Sequence, residues 1–435
     1  MSYYYKESVS WSKVTAGQFS VRYFPAGFLF DVAGCSIFAD TKTLLKLIAF
    51  LNSKVIHVFM AFLSPTLNYE VGTVKLLPLV NMQNIKTNAA EACVACTKTD
   101  WDSFETSWDF EVFPCLSNEL NAENVESSYA HWDKLCADNI SKMKKLEEEN
   151  NKIFIEAYGL QGELTPDVSE DEITLARADK EDDVKHLISY SIGCMMGRYS
   201  LDNPGLIYAH SGNEGFDSSQ YKTFLADDDG IVPITDHEWF DDDVACRFFR
   251  FIEIAWDKKG LEANLDFIAE AIGRKISESS REAIRRYFVN DFYKDHCHTY
   301  KKHPIYWLFT SGKEKAFQAF VYLHRYNEGT LSRMRTEYVL PLQTKINRHI
   351  EHLEKDKDNA TSTSAANKIQ KEITLLLKQK DELIKFDERL RHYADMKIKL
   401  DLDDGVKVNY GKFGELLSNV KAIAGKKGDN SESAD

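Results

Sequence analysis

The pattern of apolar and polar positions divides the chain into a strand-rich beginning and a helical remainder. From Tyr3 to Ala39, short apolar runs are broken by Gly17, Gly27 and Gly34, as in "FSVRYFPAGFLFDVAGCSIFA". Aromatic and β-branched residues with glycine punctuation predict strands and turns. The most apolar stretch follows, with fifteen apolar side chains among the twenty residues Leu44 to Leu63. That approaches the length of a membrane span, which needs about twenty predominantly apolar residues. Lys46, Asn52, Ser53, Lys54 and His57 interrupt it, and its longest unbroken apolar run, Val58 to Leu63, is six residues. A central lysine costs roughly 2.5–3.5 kcal/mol on insertion scales. Lys46, Ser53 and His57 recur at spacings of seven and four, one stripe of a helix. The stretch therefore predicts one helix buried on most of its circumference, with Pro65 just past its end, and argues against a membrane span. An extended piece, "TLNYEVGTVKLLPL", then closes on Pro78.

Further along, residues 82–98 and 119–160 carry helical patterns. Between Leu331 and Met396, two helical runs flank the polar segment "KDKDNATSTSAANK". Ile346, Ile350 and Leu353 fall at spacings of four and three, and Ile369, Ile373, Leu376 and Leu383 continue in the same way. These spacings predict an antiparallel helical hairpin with a coiled-coil seam. The charged, Ser-rich tail after Gly425 reads as disordered. Strands followed by helices make the chain α+β.

Length and charge refine this picture. At 435 residues the chain exceeds one compact core, and its 43% hydrophobic content supplies real ones. Eight scattered cysteines and the absence of a basic, small-residue-cleaved leader suit a reduced, cytoplasmic setting. The net charge of −14 is unevenly spread. Residues 161–250 hold 20 acidic and 7 basic side chains, whereas residues 281–350 hold 13 basic and 6 acidic ones. Such asymmetry points to separate surfaces with separate partners.

Candidate catalytic motifs fail on spacing or context. Cys93 and Cys96 form a lone CxxC with no second pair nearby, and so read as two helical cysteines one turn apart. His296, Cys297, His298 and His303 are too nearly consecutive for more than two to converge on a metal. The triplets Asp227–Asp229 and Asp241–Asp243 lack EF-hand spacing. Pro166-Asp167 with Asp183-Val184-Lys185 imitates a PD-(D/E)xK nuclease core, but the segment between is not strand-like. No glycine loop for S-adenosylmethionine, no Asn/Asp-Pro-Pro-aromatic tetrapeptide and no P-loop is present, so no metal or cofactor is expected in this chain.

A basic, aromatic stretch remains, "KKHPIYWLFTSGKEKAFQAFVYLHRYNEGTLSRMRTEY". Lysine and arginine neutralise backbone phosphates, and a bidentate arginine reads guanine in the major groove. Ser311, Lys313, Lys315, Arg325, Arg333 and Arg335 are the candidates for contact with double-stranded DNA.

Several stretches together resemble one family. "LLKLIAFLNSKVIHVFMAFLSPTLNYEVGTVKLLPLV" is similar to the end of target-recognition domains fused to DNA methyltransferases. "DWDSFETSWDF", "ELTPDVSEDEITL", "SIGCMMGRYSLDNPGL", "HPIYWLFTSGK", "VYLHRY", "RMRTEYV" and "LDLDDGVKVNYGKF" resemble, in order, the carboxyl-terminal half of the PglX family. These are the adenine-specific DNA methyltransferases of BREX phage-defence systems. The resemblance implies a mixed small-sheet and helix target-recognition region ending at 1–117 and connecting helices over 118–165. It implies a largely helical specificity domain over 166–345, the hairpin over 346–400 and a tail over 401–435. It also implies that the half carrying the S-adenosylmethionine loop and the Asn-Pro-Pro-aromatic motif precedes this chain, through a split or truncated gene or a fragment. Function would then be DNA recognition in concert with a methyltransferase half or other BREX proteins. The alternative is a non-catalytic scaffold of the defence complex.

Overall fold

The computed structural model describes residues 3–418 and Ile423, so the predicted disordered tail lies outside the described residues. The chain forms two compact units, Met1–Asp102 with Asp133–Ala178, and Ser103–Trp132 with Asp179–Asp435. Among the described residues it is α+β, mostly helical, with one small antiparallel sheet in each unit.

In the first unit, β1 (Ser8–Ser12) is the centre of a sheet ordered β2-β1-β3, with β2 at Arg22–Phe24 and β3 at Gly34–Ile37. Val9 and Trp11, two apart, are both buried, as strand periodicity requires for one core face. They pack with Phe19 and Val21 against the apolar stretch after β3. That stretch is two helices, α1 (Thr41–Leu51) and α2 (Lys54–Leu63), bent by 69°. The single helix expected from periodicity is thus broken at Asn52 and Ser53. Asn52 explains the break, because its side-chain amide pairs with the backbone of Val21 in both directions, at 2.8 and 3.0 Å. Asn151 accepts the N–H of Lys54 at 2.8 Å and so satisfies one of the orphan donors that begin α2.

The segment expected to be extended instead holds a short helix, α3 (Val71–Val74). Among the described residues an isolated bridge, Val14 to Asn68, is its one strand pairing, and Thr73 and Val74 close their N–H groups locally on Glu70. Two longer helices follow, α4 (Asn88–Asp102) and α5 (Val125–Tyr158). Among the described residues, no single helix is long and apolar enough to cross a membrane.

The second unit continues with α6 (Lys180–Met195), β4 (Ile231–Ile234), α7 (Val244–Trp256), α8 (Leu261–Ala271), α9 (Ser280–Asn290) and α10 (Phe292–Thr299). Then comes a hairpin of β5 (Tyr306–Thr310) and β6 (Gln318–Tyr322), which completes a sheet ordered β4-β6-β5. All of β6 is buried, and its apolar run from Ala319 to Tyr322 reflects a sheet covered on both faces. Trp307 and Phe309 meet Tyr410 and Phe413 on one face, and Tyr306 and Phe320 meet His296 and Phe292 on the other.

The chain then runs without a break through α11 (Thr330–Arg333), a π-helical segment (Met334–Val339) and α12 (Leu340–Asp358). Pro341 lacks the N–H that an α-helical register needs there, which accounts for the widened turn before it. After α12, α13 (Thr363–Asp395) doubles back, followed by α14 (Gly405–Gly411). Ile346, Ile350, Leu353, Ile373, Leu376 and Leu383 are buried in one cluster, as their spacing predicted, with Ile369 partly buried against it.

Candidate nucleic-acid interface

The turn joining β5 to β6 carries three of the predicted DNA-contact residues, and a carboxylate about seventy residues further on organises it. Ser311 Oγ donates to Glu382 Oε1 at 2.6 Å and accepts from the Phe317 N–H at 3.0 Å. Glu382 also accepts the N–H groups of Glu314 at 2.7 Å and Ala316 at 3.2 Å. A Cβ on Gly312, whose φ is +149°, would lie 2.7 Å from Glu382 Oε2, so the glycine lets that carboxylate approach. Replacing Glu382 with alanine leaves three donors without this acceptor. Urea unfolding should register a loss of about 1–3 kcal/mol, with Glu382→Gln losing less. A change for Glu382→Ala below about 0.5 kcal/mol would show that the turn is held by something else.

The six candidates do not share one surface. Ser311 is buried, and its hydroxyl is committed to Glu382. Lys315, with φ of +51°, points its Nζ at the Val289 carbonyl (3.0 Å) and Asn290 Oδ1, and burial pulls its pKa down. Arg325 is fully buried. Its guanidinium donates to the carbonyls of Asp227 and Asp228 and, through Nε, to Asn213 at 2.8 Å, while stacking 3.7 Å from the centre of the Phe216 ring. Arg335 forms a bidentate pair with Asp387 at 2.7 and 3.1 Å. Arg333 is half-buried beside Asp229, with Nη1 3.5 Å from that residue's carbonyl. Lys313 is exposed and has no salt bridge among the described residues. Sequence reasoning did not find Glu382 or Asp387, because two acids on a charged helix carry no local sign of what they will meet.

The acidic triplets are structural in part. Asp227 Oδ1 accepts three backbone N–H groups, from Asp229, Gly230 and Ile231. Asp243 caps α7 through the Cys246 N–H and pairs with Arg285. Asp183 and Lys185 lie on α6 rather than on a strand, and Asp183 accepts from the Trp132 indole and the Asp179 N–H. Cys93 and Cys96 lie on α4, and burial raises both thiols, the reverse of what a reactive thiolate needs. Among the described residues, no group of three or more His, Cys, Asp or Glu could hold a metal ion. The connections from β3 to α1 and from β4 to α7 contain no glycine, so neither forms a glycine-rich cradle for a nucleoside cofactor.

No family model matches the chain. The chain is similar to adenine-specific methyltransferases. It is 44% identical to adenine-specific methyltransferase BrxX of Escherichia coli O9:H4 (strain HS) over 450 aligned positions, which cover 97% of this chain. It is 43% identical to adenine-specific methyltransferase PglX of Lacticaseibacillus casei (strain Zhang), over 94% of this chain. The chain spans about a third of the length of these relatives, 37% of BrxX and 34% of PglX. The similarity expected from scattered motifs therefore extends along nearly the whole chain.

Proposed function

We propose that this chain is the DNA-recognition portion of an adenine-specific methyltransferase of the PglX kind, working in BREX phage defence in the cytoplasm. The observation that carries this reading is the identity of 44% across nearly all of this chain but only 37% of the relative. In this reading the region holds the duplex. S-adenosylmethionine would be bound, and the adenine flipped and methylated, by residues corresponding to the rest of the relatives' length. A gel shift with duplex DNA and a salt titration tests the reading. Binding should weaken steeply with salt, by about 0.9 in log K per log unit of salt for each phosphate contacted. The absence of a shift at any salt overturns it.

One observation favours a second reading, a scaffold that docks other defence proteins. Tyr3, Tyr4, Tyr5, Phe28, Leu29 and Val32 are all exposed in the first unit, more apolar surface than scattered single residues present. A scaffold without DNA contact would give no salt-dependent shift.

A further inference from the structure

The eighteen residues from His296 to Lys313 contain no aspartate or glutamate, in a chain whose formal charge is −14. Within this acid-free run, Lys301 and Lys302 both sit in the left-handed region, with φ of 49° and 66°. They form the turn that ends α10. The N–H of Lys301 bonds to the carbonyl of His298 at 3.0 Å, that of Lys302 to Cys297 at 2.7 Å and that of His303 to Tyr300 at 2.8 Å. On the far side, buried His296 accepts the N–H groups of Ile305 and Tyr306 through Nε2, both at 3.1 Å. The turn is thus pinned at both ends between α10 and β5.

Glycine is the residue that such a helix end favours, and a non-glycine residue held there costs on the order of 1 kcal/mol or more. Two lysines bear that cost with both side chains exposed, and neither has a salt bridge among the described residues. The interior gains nothing from their ammonium groups. His298 and His303 are exposed beside them, so no acid in the turn competes for the charge.

We infer that Lys301 and Lys302 are a fixed contact point for the phosphate backbone of duplex DNA, in place of the buried and paired residues of the basic stretch. The inference rests on the DNA-recognition reading above and assigns its phosphate contact. Glycine substitution makes an unusually clean test, because glycine relieves the left-handed strain while removing both charges. In the full chain, Lys301→Gly with Lys302→Gly should unfold at the same urea concentration as the parent, or a higher one. Its affinity for duplex DNA should fall about tenfold at low salt, and its salt slope should shrink by about 1.8, the share of two phosphates. Lys301→Arg with Lys302→Arg should keep the parental slope. If the parent binds with a steep salt dependence and the glycine variant keeps the same slope, this assignment is wrong and the DNA reading stands. If the parent itself shows no salt-dependent binding, the DNA reading fails and this assignment fails with it.

Discussion

Arg325→Ala is expected to lower the stability of the second unit by about 3–5 kcal/mol, the largest effect among the six predicted DNA-contact residues. Three physical losses add up. The carbonyls of Asp227 and Asp228 lose their guanidinium donors, and the buried one, on Asp227, costs about 1–3 kcal/mol when orphaned. The ring of Phe216 loses a cation stacked on its face. A side chain with no exposed surface also leaves a cavity behind. Arg325→Lys keeps a charge but not the planar fork, so it reaches one acceptor at a time and should fall between alanine and the parent. Urea unfolding at constant slope reads the difference. Well below its unfolding midpoint, folded Arg325→Ala should bind duplex DNA with the parental salt slope. If stability held and the salt slope fell, Arg325 would belong to the DNA surface instead.

Arg325 also marks where the chain's sequence stops being informative. The hairpin of α12 and α13 was legible because its seam is a local periodicity, with Ile346, Ile350 and Leu353 facing Ile373, Leu376 and Leu383. The strands β5 and β6 were not legible, because they fall in what the pattern reads as a helical remainder and their sheet is completed by β4, whose Ile231 pairs with Val321 90 residues later. What Arg325, Arg335 and Ser311 do depends on Asp227, Asp387 and Glu382, which lie 98, 52 and 71 positions away. A basic side chain over phosphate and one clamped on a distant carboxylate look the same in one dimension. The bend between α1 and α2 escaped for the same reason, since Asn52 is drawn off the helix by Val21, 31 residues earlier. The left-handed turn at Lys301 and Lys302 carries no glycine to announce it, and is visible only in the backbone.

The stability of the second unit should fall as pH rises from about 6.5 to about 8, and Asp229→Asn should abolish much of that fall. Burial, then the hydrogen bond and charge of neighbouring Asp227, push the Asp229 carboxyl up to about 8, and the Ile231 N–H and Arg333 only partly oppose this. Tyr338 also faces it, with its hydroxyl 3.3 Å from Oδ2. The folded protein therefore holds a proton that the unfolded chain releases near pH 4. Its contribution is fully present below about pH 4 and is lost as pH rises through about 8, at up to about 1.4 kcal/mol per pH unit. Below pH 6.5 two histidines act in the opposite sense. Burial lowers His296 to about 3 and His324 to about 4, so both are neutral in the fold while the unfolded chain still protonates them. Their contribution rises with pH and masks that of Asp229, but it is complete once the unfolded histidines have also lost their protons. Above pH 6.5 the carboxyl is left exposed to measurement, and other raised groups cancel between parent and variant. The parent should lose about 1–2 kcal/mol relative to Asp229→Asn between pH 6.5 and 8. Parallel stability curves for the two proteins over that interval would mean that Asp229 is ionised in the fold, with Arg333 outweighing burial and Asp227.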